Sequence, residues 1–243
     1  MRSLPPILVL FTLTGLIGVE LKGQGVPSAS MGLHPVLSRV FGELPGFSAK
    51  ANVKLEGEGA SDDMMLPMQF EYLGGRMRAE INMADVKGSE VPAEMLFTLK
   101  QIGMDRVVTI MSGDGKPVII LYPNLNASIE VKGAESAVSK TEGEALTETK
   151  LGEETVAGHV CDKYRFVHQG EEALVWRARD LESFPIQVRM DQKSVRMTVH
   201  YEDINLEAPK AERFKVPAVY TKHESMEAVM QGAMQRLLKK PAP

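Results

Sequence analysis

Two side chains with the chemistry to bind a metal stand two positions apart in the sequence, His159 and Cys161. If both lie on one strand they share a face, because successive side chains of a strand point to opposite sides of the sheet. A zinc site needs three or four protein ligands, however, and no second pair of ligands lies nearby in the sequence. We therefore expect no metal, and we expect Cys161, the only cysteine, to be a small buried filler of the core.

A second group could perform acid–base chemistry, because it combines carboxylates with arginines. Its members are Arg177, Arg179, Asp180, Arg189, Asp191 and Arg196. The alternation of apolar residues around them directs most of these charges to solvent, where cross-strand ion pairs are the expected outcome. The sequence also has no phosphate-binding glycine loop, no His-Glu-x-x-His motif and no Gly-x-Ser-x-Gly elbow. We therefore expect a protein that is not an enzyme and that uses no cofactor.

The composition is that of a globular protein with one sizeable core, since 44% of the 243 residues are apolar. The formal net charge of −4 provides no positive field for nucleic acid, so we expect no nucleic-acid partner. Beyond the N-terminus no apolar run is long enough to cross a bilayer, so no stable membrane span is expected after signal removal. The oligomeric state is left open.

The N-terminus has the pattern of an export signal. Arg2 supplies a positive charge, an apolar run extends from Leu4 to Val19, and Gly23-Gln-Gly25 offers small residues to a signal peptidase. We expect residues 1–25 to be a cleaved signal peptide and residues 26–243 to form one periplasmic domain. An uncleaved membrane anchor is the alternative, although the run is at the short end for a span. No cysteine directly follows the run, so no lipid anchor is expected.

Period-two alternation of apolar and polar residues predicts strands along most of the chain. The alternation is strictest from Phe47 to Leu55, recurs from Met64 to Leu73 and continues after the turn at Gly74-Gly75. Further segments of this kind bring the total to about ten or eleven strands. Because their connections are short turns without crossovers, antiparallel pairing is expected.

Three segments have helical spacing instead. The first is His34–Leu44, the second is opened by Pro92, and the third is Thr221–Lys240, in which Thr221 and Glu224 fit a capping box. A curved sheet wrapped over helices buries the apolar faces of both. The predicted fold is therefore mainly β (α+β), a curved antiparallel half-barrel whose helices cover the concave face.

The stretch Phe184–Pro217 has a more specific pattern. Apolar alternation from Ile186 to Met190, a polar turn and a second alternation from Val195 to Tyr201 predict a hairpin, which Asp203-Ile-Asn205 and Phe214-x-x-Pro217 follow. This order resembles the closing half of the LolA/LolB-like lipoprotein-carrier superfamily. The resemblance extends in element order over residues 33–220, and the segment 158–166 is similar to related exported domains of unknown function.

The resemblance implies a function as well as a half-barrel. Members of this superfamily carry lipid-modified proteins or other acyl ligands across the periplasm, or sense them. The implied mechanism is burial of acyl chains between the concave face and the helices, where each methylene contributes about 0.8 kcal/mol. The implied partner is a lipid or an acylated protein.

Methionine supports such a site, because the chain has 15 methionines but only 6% aromatic residues. Methionine side chains are flexible and polarizable and adapt to irregular apolar partners, although ordinary core packing explains them equally well. The residues predicted to line the cavity are Met68, Phe70, Met77, Ile81, Leu99, Trp176, Val188, Met190, Met197, Val199, Met230 and Met234.

Two functions follow as hypotheses. The first is an exported periplasmic protein that binds a lipid or an acylated, lipoprotein-like ligand in the cavity between sheet and helices. The alternative is a ligand-free interaction or envelope-sensor module that acts through a protein partner at an exposed strand edge. The Met-rich C-terminal helix bears on this choice, because a helix that filled the cavity would leave no room for a ligand.

Overall fold

A computed structural model describes residues 40–41, 44–57, 64–88, 93–112, 116–131, 147–168, 171–192 and 195–239. The predicted signal peptide and most of the predicted helix His34–Leu44 lie outside the described residues. Of that helix, Val40 and Phe41 are described as helical, and both are buried. No helix within the described ranges is long and apolar enough to cross a membrane.

Within these ranges, twelve strands form one open, curved sheet. The strands are β1 Gly46–Gly57, β2 Met64–Leu73, β3 Arg76–Asn82, β4 Arg106–Ser112, β5 Val118–Tyr122, β6 Ala127–Val131, β7 Thr147–Val156, β8 His159–His168, β9 Glu171–Ala178, β10 Phe184–Gln192, β11 Val195–Asn205 and β12 Thr221–His223. Their order in the sheet is β12-β6-β5-β4-β3-β2-β1-β11-β10-β9-β8-β7. The predicted mainly β half-barrel is confirmed.

The sheet consists of two antiparallel meanders, β1–β6 and β7–β11, which meet where β1 pairs with β11. At this junction Val53 lies opposite Val199, and Leu55 lies opposite Met197. The pairing of β12 differs, because Thr221 lies opposite Ala127 in a parallel register with β6. The prediction of wholly antiparallel pairing is therefore wrong at this edge. Parallel strands need a long connection, and residues 132–220, which include the second meander, lie between β6 and β12 in the sequence. We call residues 206–220, which connect β11 to β12, the strap.

Two helices pack against the sheet on its concave side. Helix α1, Ala93–Ile102, buries Leu99, and helix α2, Met226–Lys239, buries Val229 and Ala233 in the same core. Helix α2 begins later than predicted, because Thr221 pairs in β12 instead of capping the helix. The N-cap is Ser225, whose hydroxyl oxygen accepts a hydrogen bond of 3.2 Å from the backbone N–H of Ala228.

Apolar side chains pack on both faces of the sheet. The main core lies on the concave side and includes residues from both helices. On the convex side, Phe214 of the strap packs against Val108, Ile110 and Leu121. A third cluster, also convex, contains Cys161, Trp176, Ala178 and Ile186. Strands β4, β5, β8 and β9 therefore have apolar side chains in contact with other residues on both faces of the sheet.

Candidate ligand-binding site

Most residues predicted to line a cavity come together in the main core on the concave side. Those that are buried there are Met68, Phe70, Met77, Ile81, Leu99, Val188, Met190 and Val199. Met197 and Met230 are half-buried and pack against the same core. The β10–β11 hairpin explains part of this set, because its register places Val188 opposite Val199 and Met190 opposite Met197. Their role as ligand contacts stays a prediction.

Trp176 lies on the other face of the sheet, which corrects its assignment to the concave side. On β9 the residues that reach the main core are Ala173 and Val175, whereas Trp176 packs on the convex side. Because Ala173 to Trp176 are apolar without a break, alternation alone does not decide which of them face inward. The Trp176 indole N–H donates to Glu154 at 2.9 Å, and this bond lowers the pKa of the Glu154 carboxyl, as does a bond from Lys163.

Met234 also lies outside the core, since 52% of it is exposed. The apolar stripe of α2 is wider than the surface that it covers, so the helix turns Val229 and Ala233 to the core and leaves Met234 in solvent. The sequence pattern identified the stripe but not its buried part.

An aromatic cluster occupies the middle of the concave face, and the predicted lining set missed its centre. The Phe41 ring is fully buried, and its centroid lies 5.0 Å from that of Phe47 and 5.8 Å from that of Tyr201. Phe184 packs edge-on against Phe47 at 4.8 Å. Burial raises the pKa of the Tyr201 hydroxyl. The strict alternation that begins at Phe47 is the sequence signal that could have placed the Phe47 ring on the concave face.

Strands β7–β9 give one end of the concave face a charged rim. The Arg177 guanidinium lies over the rings of Tyr164 and Phe166, at 5.1 and 5.4 Å, and donates to Glu148 at 3.2 Å. Asp162 accepts hydrogen bonds from Arg179 and Lys150, which lower its pKa to about 2. All of these contacts join side chains of this chain to one another, as ion pairs or as cation–π contacts.

The charged residues considered for acid–base chemistry form such pairs on other strands as well. Asp191 accepts from Arg196 across the β10–β11 hairpin at 2.8 Å. The prediction of cross-strand ion pairs is confirmed for Arg177, Arg179, Asp191 and Arg196.

His159 and Cys161 have separate environments. The His159 Nδ1 lies 2.7 Å from Asp180 Oδ2, while Cys161 is buried and its thiol donates to the His159 carbonyl oxygen at 3.4 Å. Burial raises the pKa of the Cys161 thiol, which keeps it protonated. The part of the chain that the structure describes contains no group of three or more His, Cys, Asp or Glu side chains that could hold a metal.

A groove of about 380 Å³ on the sheet is lined mainly by polar and charged residues. Lys50, Gln69, Glu80 and Arg106 contribute to its lining. Burial raises the pKa of Glu80, but hydrogen bonds from Arg78 and Arg106 outweigh it, so the net pKa is lowered. Since its charges are paired, this groove does not match an acyl chain.

Comparison with solved structures finds similar chains of low sequence identity. An uncharacterized conserved protein from Thermus thermophilus has 11% identity and a TM-score of 0.48, over 79% of this chain and 98% of that one. A LolA superfamily protein from Nitrosomonas europaea has 11% identity and a TM-score of 0.36, over 71% and 91%. Lipoprotein LppX of Mycobacterium tuberculosis has 12% identity and a TM-score of 0.39, over 70% and 92%. A LolA superfamily protein is thus among the similar structures, as the sequence resemblance predicts.

Sequence comparison adds a family but no characterised relative. No curated protein sequence matches the chain. The model of the family described as "Domain of unknown function (DUF4412)" matches residues 63–198, more than half of the chain. The protein therefore belongs to the DUF4412 family.

Proposed function

We propose that the protein is an exported periplasmic carrier, without enzymatic activity, that binds a lipid or an acylated, lipoprotein-like ligand between the concave face and the two helices. One observation carries the proposal. The apolar face extends from Met190 on β10 to Ile129 on β6, and the described helical residues that are buried against it are Val40, Phe41, Leu99, Val229 and Ala233. A large apolar face that helical segments cover suits a site that opens, because a helix can move away without breaking the sheet.

The composition of this face supports an adaptable site. Met68, Met77 and Met190 are buried on it, and Met197 of β11 and Met230 of α2 pack against the same core. Methionine has three rotatable bonds in its side chain, so it can repack around a ligand at lower cost than a branched or aromatic residue.

Burial energies indicate that a long acyl chain can compete with helix α2 for this face. Full burial of one valine contributes about 1.5–3 kcal/mol, and Ala233 adds less. An acyl chain with about ten buried methylenes gains roughly 8 kcal/mol. The half-buried Met226 and Met230 of α2 narrow this difference, and a free ligand loses translational and rotational freedom on binding that an attached helix does not lose. We therefore expect displacement of α2 only by long acyl chains, which bury the most methylenes.

Titration with a fluorescent fatty acid, together with native mass spectrometry of protein purified without detergent, tests the proposal. The double substitution Val229→Asp and Ala233→Asp should loosen α2 and increase fatty-acid uptake. The matched control is Gln231→Asp, an exposed position of the same helix, which should leave uptake unchanged. A single apo mass, with no uptake by the native chain or the double variant, would show that the carrier function is wrong.

The edge strand β7 favours the alternative, an interaction or sensor module that binds no ligand. Its ten residues are mostly exposed, and its outer edge has no partner strand within the described part of the sheet. A partner's extended segment can pair with such an edge through backbone hydrogen bonds. This alternative predicts protection of β7 amides from hydrogen exchange when the partner binds, and no fatty-acid uptake.

A further inference from the structure

Helix α2 starts on the protein and ends in solvent. Val229, Ala233 and Leu237 follow one another at intervals of four residues, so they lie in one row along the helix. Their exposed fractions are 2%, 4% and 42%. The row therefore leaves the core in its last turn, although its residues stay apolar.

Two further apolar side chains lie beside Leu237. Met234 and Leu238 are 52% and 85% exposed, and both are within one turn of Leu237 on the helix surface. We call Met234, Leu237 and Leu238 the apolar end of α2. Soluble proteins seldom expose several large apolar side chains together unless the surface has a partner.

The sequence that contains this surface carries only positive charges. The sequence from Ala228 to Pro243 contains no Asp or Glu but includes Arg236, Lys239 and Lys240, in a chain whose formal net charge is −4. Arg236 donates to the carbonyl oxygen of Leu125 at 3.0 Å, which holds this part of the helix at the margin of the sheet. An apolar helical surface flanked by basic residues is typical of helices that lie in the interface of an anionic membrane.

We propose that the apolar end of α2 docks on an anionic lipid bilayer, with α2 lying in the plane of the interface. A surface of three side chains is much smaller than the roughly 800 Å² per partner that a stable protein complex buries. A membrane needs no complementary pocket, because a few apolar side chains enter it while the neighbouring cations stay near the headgroups. The proposal does not depend on ligand binding by the concave face.

Vesicle co-sedimentation of the chain without its predicted signal peptide tests this contact. We expect binding to vesicles that contain phosphatidylglycerol, weaker binding to pure phosphatidylcholine, and a decrease with salt because salt screens the charges. Leu238→Glu should weaken binding to anionic vesicles by roughly tenfold or more, since it places a carboxylate where an apolar side chain enters the interface. Val219→Glu is the matched control, because Val219 is 74% exposed on the strap, and it should leave binding unchanged.

Thermal melting and light scattering of the same variants decide between occupants. Since Leu238 is 85% exposed, Leu238→Glu should change neither the melting temperature nor the molar mass. A lower melting temperature of the Leu238→Glu variant would mean that another segment of this chain packs on the surface. A lower molar mass of the variant would mean that a second copy of the chain packs there. Either result, or equal vesicle binding by native protein and Leu238→Glu, would overturn the membrane proposal.

Discussion

In the described part of the chain, the buried charged residues are Glu71 and Arg78 on the convex side, whose side chains are 10% and 9% exposed. Arg78 donates to Glu71 at 3.2 Å and to Glu80 at 2.6 Å. Glu71 also accepts a hydrogen bond of 2.5 Å from Arg213 of the strap. A buried ion pair adds little stability by itself, but loss of one partner leaves the other charge buried and unpaired. Glu71 therefore ties the strap to β2 and β3.

Glu71→Gln should lower the free energy of unfolding by about 2–4 kcal/mol. This loss is somewhat smaller than the loss expected for an isolated buried ion pair, because Arg78 still donates a hydrogen bond to Glu80. Urea denaturation measures the change. Glu212→Gln is the matched control on the same turn of the strap, since Glu212 is 77% exposed, and it should change stability by no more than about 0.5 kcal/mol. Equal effects of the two substitutions would contradict the role of Glu71.

The Asp162 carboxyl should stay ionised to unusually low pH. Hydrogen bonds from Arg179 and Lys150 lower its pKa to about 2 from 3.8. Because the folded-state pKa is lowered, its contribution to stability is present above pH 3.8 and is lost as the pH falls toward about 2. Carbon NMR of the carboxyl group should give a midpoint near 2.

Arg179→Gln should move this midpoint upward, toward the ordinary range for aspartate, because it removes the strongest donor. Arg165→Gln is the control, since Arg165 is an exposed arginine on the same strand as Asp162 and makes no contact with it among those described. An unshifted midpoint in Arg179→Gln would show that Arg179 does not hold the carboxylate.

At the scale of elements, helix α2 shows how a local motif can be placed at the wrong residue. Thr221 and Glu224 have the spacing of a capping box, but Thr221 is taken up by β12, and its backbone N–H donates to the Asn126 carbonyl oxygen at 2.7 Å. Ser225 caps the helix instead. Capping motifs are short and frequent, so pairing in a sheet decides between two candidates.

Ser225→Ala should lower the free energy of unfolding by about 1 kcal/mol, because the N–H of Ala228 loses its acceptor. Thr221→Ala should have a smaller effect, since the Thr221 side chain is exposed and its backbone contacts remain. Thermal and urea denaturation compare the two variants. A larger loss for Thr221→Ala would return the helix start to the position that the sequence pattern predicts.

The whole molecule depends on the junction of its two meanders. Strands β1 and β11 are far apart in sequence, yet they pair from Ser48–Asn205 to Gly57–Val195. Both edges of the sheet are weaker, because β7 is mostly exposed and β12 has three residues. Opening should therefore begin at the edges and reach the junction last.

Native-state hydrogen exchange should show this order. Amides in the middle of β1 and β11, such as those of Val53 and Val199, should be the most protected and should exchange only on global unfolding. Amides of β7, such as that of Thr149, should exchange much earlier through local opening. Greater protection of β7 than of β11 in the isolated chain would contradict the assignment of β7 as a free edge.

The sequence by itself determined strands β1–β11 and their antiparallel meanders but missed β12, because alternation and turn residues act over a few neighbouring positions. It also identified the β10–β11 hairpin and most of the concave apolar set, since strict alternation from Val188 to Val199 leaves one choice of face. Only the tertiary structure decided that Trp176 faces outward, that Phe41 occupies the centre of the concave face, that β12 is parallel to β6 and that Met234 is exposed. Each of these depends on which distant segment arrives at a surface, and an apolar side chain looks the same in the sequence whether or not a partner covers it.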